Sequence, residues 1–293
     1  MSANKTSAVS DEPIDVLVVL HPKFDLLDMA GPVEVFTTAL HNFKDPSTKA
    51  FEITTTGAEP KVLSEQGIIV GSQIPYKEAH ERLEEFDILV VLGGNSAEVL
   101  EKEDQPFALI SDFSELQKKD PARERTILSV CTGSLFLAKE GILSGLSATT
   151  HPDYLTRFEN LCSDAATRNL QERTDVVEDT RYVVNNLRFD LGDEDENPYI
   201  RRKSDANAGR RPSNARKGSM SFKGSNSRRE SIARRAAMRL GGLRVVTAGG
   251  NSSGVDAALY LVGALVDDEC ANEVARVMQW NWVKGTVVDG LDV

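Results

Sequence analysis

The sequence predicts an α/β fold, a single-domain sandwich with helices on both faces of a parallel sheet, carrying one nucleophile elbow. Three observations point there. Four short runs are apolar at almost every position, the pattern of strands buried on both faces. Each run ends in a turn, and each is followed by a segment of helical character. Strands that alternate with helices lie parallel, because each crossover returns the chain to the same edge of the strand before it.

The elements follow in order. "IDVLVVL" (14–20) is the first strand, and a helix is expected over 31–40, with Pro32 near its start. Weaker strands are expected at 51–55 and 67–71. "DILVVLGG" (87–94) leads to a helix over 106–118, and "RTILSV" (125–130) to one over 133–139. A further helix is expected at 153–162, and "VVEDTRYVV" (176–184) reads as a hairpin. The fourth strand, "LRVVTAGG" (243–250), precedes a helix over 253–266.

Residues 186–242 break this order. Over 199–241 there are thirteen Lys or Arg against Asp205 and Glu230, a net of +11, so the rest of the chain carries −22 of the total of −11. The segment has few large apolar residues and cannot offset its ordering entropy, so a basic, low-complexity insertion without stable structure is expected, with one short helix near 230–240. A domain over 14–285, interrupted by this insertion, and a disordered tail at 1–13 complete the expected organisation.

Composition narrows the function classes. Cys131, Cys162 and Cys270 are too few and too widely spaced for a disulfide framework or a zinc site, which favours a reducing compartment and no metal. The first residues lack a signal-peptide core, and the longest apolar run, 257–266, falls short of a membrane span. A soluble cytoplasmic protein is expected, with the nucleus as the alternative. The basic segment has only Tyr199 and Phe222 among its large aromatics, which argues against nucleic acid.

Chemistry concentrates at "SVCTGS". A strand, one cysteine and a small-residue turn into a helix lift the side chain above the sheet, as the elbow of serine hydrolases does. There the helix N-terminus is expected to depress the pKa of Cys131. The plain alternative is a small buried residue, since free cysteine is among the most buried types.

"FDLLDMAGPVEVF" (24–36), "VLGGNS" (91–96), "CTGSLFLAKEGILSGLSATTHPDYL" (131–155) and "VTAGGNSSGVDAALYLV" (246–262) decide between these readings. Together they resemble the ThiJ/PfpI superfamily, of class I glutamine amidotransferase-like, flavodoxin-like fold, and especially its isonitrile hydratase branch. The resemblance implies that Cys131 is the reactive residue and Asp28 its acid partner. It implies that the amides of Gly93, Gly94 and Thr132 stabilise developing negative charge, and that His151 lies near the site. It implies no cofactor, a small-molecule substrate and a homodimer. Thr132 stands where peptidase-like members place a histidine, which argues against peptidase activity. Glu34, six residues from Asp28, is expected to face solvent or an interface.

Three functions follow from the resemblance: a cysteine-dependent hydratase converting an isonitrile to an N-substituted formamide, a glyoxalase-like enzyme acting on reactive aldehydes, and a non-catalytic sensor domain. Aspartate in "LDMAGP", where glyoxalase-like relatives carry glutamate, favours the hydratase. In the insertion, "RRKS", "RRPS" and "RRES" set Ser204, Ser213 and Ser231 behind paired arginines, which resembles substrates of basic-directed kinases and suggests phosphorylation as a control.

Overall fold

Alternation within each central strand builds two cores at once. In β1 (Ile14–Val19) the side chains of Val16 and Val18 enter one core, and those of Leu17 and Val19 the other. β6 (Ile88–Val91) divides Ile88 and Val90 from Leu89 and Val91 in the same way, and β7 (Thr126–Val130) divides Leu128 and Val130 from Ile127. Successive side chains of a strand point to opposite faces, so a run that is apolar throughout needs cover on both. The computed structural model describes residues 12–102, 105–186, 200–201 and 239–289.

The covers are helices. On one face lie α1 (Leu26–Thr38), α7 (Ser252–Leu265) and α8 (Asp268–Val277). On the other lie α4 (Phe107–Lys119), α5 (Ser134–Lys139) and α6 (Leu155–Asn169). α2 (Tyr76–Glu81) and α3 (Ser96–Lys102) are short connectors.

β2 (Phe51–Gly57) pairs parallel with β1, and β5 (Ile74–Pro75) extends that edge. On the other side of β1 come β6, β7 and β12 (Arg244–Ala248), all parallel. β10 (Tyr182–Asn186) then pairs antiparallel with β12, followed by β13 (Thr286–Asp289) and β11 (Ile200–Arg201). The full order is β11-β13-β10-β12-β7-β6-β1-β2-β5. Chain order reverses at β1, so the carboxyl ends of β1 and β6 border the crevice such sheets use for ligands.

The four strong strands and their helices lie where expected, and several details differ. The first helix starts at Leu26, five residues before the expected start, because Asp25 caps it by accepting the N–H groups of Leu27 and Asp28. Pro32 sits inside that helix and costs it one backbone bond. The sheet is not wholly parallel, since β10 runs against β12. The segment 176–184 is not a hairpin: β9 (Asp175–Val176) pairs in parallel with β8 (Ser147–Ala148), while β10 joins the main sheet. Two apolar runs close together therefore feed two different sheets.

Parts of the segment expected to lack structure are placed. Ile200 and Arg201 pair with Val287 and Val288, and Leu240 is buried in the α4 core. Ser204, Ser213 and Ser231, nearly all of the expected short helix, and residues 1–11 lie outside the described residues. Among those described, no helix is long and apolar enough to cross a membrane. Glu34 is exposed, as expected.

One buried ion pair ties the late elements together. Asp256 of α7 is fully buried and accepts from Arg181 Nε at 2.6 Å, Trp280 Nε1 at 2.8 Å and the Val283 amide at 3.1 Å. Removing one member of such a group strands the others without a partner. Asp256→Ala is expected to lose about 3 kcal/mol of folding stability, read as a lower urea midpoint at unchanged slope.

Candidate active site

Four strands deliver their carboxyl ends to one place. β7 closes on Val130 in extended geometry, and Cys131 then takes φ = 57°, a left-handed conformation that costs a non-glycine residue on the order of 1–2 kcal/mol. The surroundings hold it there. Its N–H donates to the Gly249 carbonyl at 2.9 Å, and its own carbonyl accepts from Ser134 Oγ at 3.1 Å and Thr150 Oγ1 at 3.2 Å. Gly133 lies beneath the Val91 carbonyl, where a Cβ would collide. The strand, the strained cysteine, the turn Cys131–Gly133 and α5 together form the elbow.

Asp28, in the first turn of α1, is fully buried beside Cys131. Its Oδ2 accepts the Gly93 amide at 3.2 Å and its Oδ1 the Asn251 amide at 3.1 Å. Burial pushes this carboxyl up to about 7, with the nearby Asp25 carboxylate adding to the effect, while the two amides and the thiol pull it back.

The thiol does not behave as its place before a helix predicts. Burial, and then the negative charge of Asp28, push Cys131 up to about 12 against the amides of Thr132 and Asn251. The depressed pKa expected of Cys131 is therefore corrected. α5 has only six residues, so its dipole is small, whereas the sulfur has lost most of its solvent. At neutral pH the sulfur therefore rests as a thiol, beside a carboxyl that burial holds well above its ordinary range.

Two of the amides expected to stabilise an anion are engaged elsewhere. The Gly93 amide is committed to Asp28, and the Gly94 amide donates to Thr132 Oγ1 at 3.1 Å, whose hydroxyl donates back to the Gly94 carbonyl. Of the three amides expected there, that of Thr132 faces the sulfur, and Asn251 supplies the second. Gly93 serves close approach instead: a Cβ there would stand 2.8 Å from both Asp28 Oδ2 and Cys131 Cβ.

His151 accepts the Asp153 amide at Nδ1, 3.2 Å away, and its ring lies edge-on to Tyr154 and against Gly250. It thus braces the turn carrying Asn251. Beside it opens a cavity of about 320 Å³, lined by Thr149, Thr150, Thr180, Arg181, Gly250 and Ser253 among others. Among the described residues no group of three or more His, Cys, Asp or Glu could hold a metal ion. Cys162 and Cys270 are free and buried away from the elbow.

Asp25 and Asn251 escaped the sequence reading. An aspartate directly before a helix is the usual cap signal, which would have marked Asp25. Nothing local distinguishes an amide such as that of Asn251, whose partner lies 223 positions away.

A doubly covered, mainly parallel sheet with a strained cysteine above it and a buried acid against the sulfur defines a class of α/β proteins with a cysteine elbow. The chain belongs to the DJ-1/PfpI family, whose family model matches residues 14–186. A Streptomyces lividans protein described as an uncharacterised protein in the cpoL 5′ region is 29% identical over 151 residues, 51% of this chain and 96% of its own. Drosophila melanogaster DJ-1beta superposes with a TM-score of 0.55 at 16% identity, covering 92% of this chain and 100% of that one. A ThiJ/PfpI family protein from Pseudomonas syringae gives 0.54 at 15%, covering 93% and 77%. An AraC family transcriptional regulator from Pseudomonas putida gives 0.53 at 15%, covering 91% and 100%. At these identities the structural likeness concerns the fold.

Asp28 makes stability pH-dependent with a definite sign. Its folded pKa lies above the ordinary value of 3.8, so between about pH 4 and 7 the native state holds a proton that the unfolded state has released. Stability should therefore fall across that window as pH rises, by an amount on the order of 4 kcal/mol. Urea unfolding at pH 4.5 and 7.5 checks it: Asp28→Asn should lack this part of the decline.

Proposed function

We propose that the protein is a cysteine-dependent hydratase that adds water to an isonitrile and releases an N-substituted formamide. The observation that carries the reading is the Asp28 carboxyl, fully buried beside Cys131 and held by the Gly93 and Asn251 amides, where burial raises its pKa to about 7, so that one group can take and return the same proton. The ionised carboxylate accepts the thiol proton as sulfur bonds to the terminal isonitrile carbon, and then delivers it to that carbon. The product is a thioimidate on Cys131, with no net loss of atoms or charge.

Water attacks the thioimidate carbon while Asp28 takes one of its protons and passes it to nitrogen. The tetrahedral adduct collapses, the C–S bond breaks, and the departing sulfur is reprotonated as the formamide leaves. The amides of Thr132 and Asn251, which already face the sulfur, hold negative charge there during both steps. An apolar, uncharged substrate suits a buried pair that carries at most one charge. Thr132 in place of a histidine leaves Asp28 to handle the proton, which favours this reading over peptide cleavage.

The test is incubation with simple alkyl and aryl isonitriles while formamide is followed. Formamide should appear, Cys131→Ala should abolish it, and Asp28→Ala should lower the rate by about 10² to 10⁴. The reactive form has one proton on the pair, so kcat/KM should rise with pH through about 7 and then level. Turnover of methylglyoxal with no formamide from any isonitrile would replace this reading by the glyoxalase-like one, and turnover of neither by a sensor domain.

A further inference from the structure

Asn251 adopts a backbone that L residues rarely take, with φ = 43° and ψ = −96°. That conformation turns its N–H onto Asp28 Oδ1 at 3.1 Å, beside Cys131, whose thiol pKa the same amide lowers. Its side chain keeps it there, because Nδ2 donates to Asp25 Oδ1 at 2.9 Å. The same Oδ1 accepts the Leu27 and Asp28 amides, at 2.9 and 3.3 Å. Asp25 Oδ2 accepts from Gln66 Nε2 at 2.7 Å, and Gln66 Oε1 accepts the Leu26 amide at 2.9 Å. One half-buried carboxylate thus gathers the start of α1, the turn between β3 (Lys61–Leu63) and β4 (Ile69–Gly71), and the turn after β12.

We propose that Asp25 is a positioning residue: by clamping the Asn251 side chain it holds the Asn251 amide on the Cys131–Asp28 pair and so sets the reactivity of the thiol. This rests on reading Cys131 and Asp28 as the reactive pair. The charge of Asp25 and its clamp act in opposite directions. As a nearby negative charge it disfavours ionisation of both Asp28 and Cys131, whereas the amide it fixes favours ionisation of both.

Other titratable groups stand around this cluster. His21, on the loop after β1, is buried and bonded to the Leu92 carbonyl, and burial holds it below its ordinary pKa. Lys23 faces Glu98 at 3.9 Å. Glu65 lies on the β3–β4 turn, and His151 packs on Gly250.

Alkylation of Cys131 by iodoacetamide in the full chain, located by peptide mass spectrometry and followed from pH 6 to 10, separates the two effects. Asn251→Gly fits the same backbone and keeps the amide but loses the clamp, and its rate at pH 8 should fall about tenfold. Asn251→Ser, too short for the clamp, serves should the glycine variant fail to fold by circular dichroism. Asp25→Asn keeps the Oδ1 acceptor and loses the charge, and its rate should rise about fivefold.

Wild-type profiles in both folded variants, or shifts in the same direction, would overturn the proposal. The readout needs no isonitrile, so a failed hydratase assay leaves it standing. Turnover together with unchanged alkylation profiles would overturn the positioning alone.

Discussion

The burial of one carboxyl against one thiol is the constraint on which the rest of the site depends. Two ionisable groups removed from water are costly unless they share charge and find donors. Here each raises the other's cost of ionising, and the carboxyl finds its donors in the backbone amides of Gly93 and Asn251, while that of Thr132 favours ionisation of the sulfur. Each amide comes from a different strand end, so the pair is satisfied only when β6, β7 and β12 are in register.

Strain is placed where that arrangement needs it. Cys131 and Asn251 both have positive φ, and they face the same carboxyl from opposite turns. The bonds that hold Cys131 come from Gly249, Ser134 and Thr150, and those that hold Asn251 from Asp25. The sulfur is thereby fixed above the sheet, beside the Asp28 carboxyl. Burial keeps it as a thiol at neutral pH rather than a free thiolate.

The late part of the chain completes the frame. Asp256, bonded to Arg181, Trp280 and the Val283 amide, couples α7 to the segment leading into β13. Arg181 also reaches Ser252 Oγ at 3.0 Å, at the first turn of the helix that Asn251 precedes. The ion pair and the Cys131–Asp28 site are thus joined through one turn.

How much of this was legible depended on range. The strands of 14–20, 87–94, 125–130 and 243–250 were readable because burial on both faces leaves an uninterrupted apolar run, a purely local signal. The elbow at Cys131 was readable for the same reason, and Asp28 was reached through a family resemblance. Local pattern misplaced the hairpin at 176–184, because strand pairing is chosen by partners distant in sequence: Tyr182 faces Ala248, while Val176 faces Ala148. It likewise missed β13, whose partners are β10 and β11. The ionisation of Cys131 was misjudged because a helix N-terminus can be seen in sequence and desolvation cannot. The sequence by itself determined the alternating scaffold and where its one elbow falls. Only the tertiary structure decided which amides and which carboxyl gather around the sulfur, because those contacts join residues as far apart as Asp28 and Asn251.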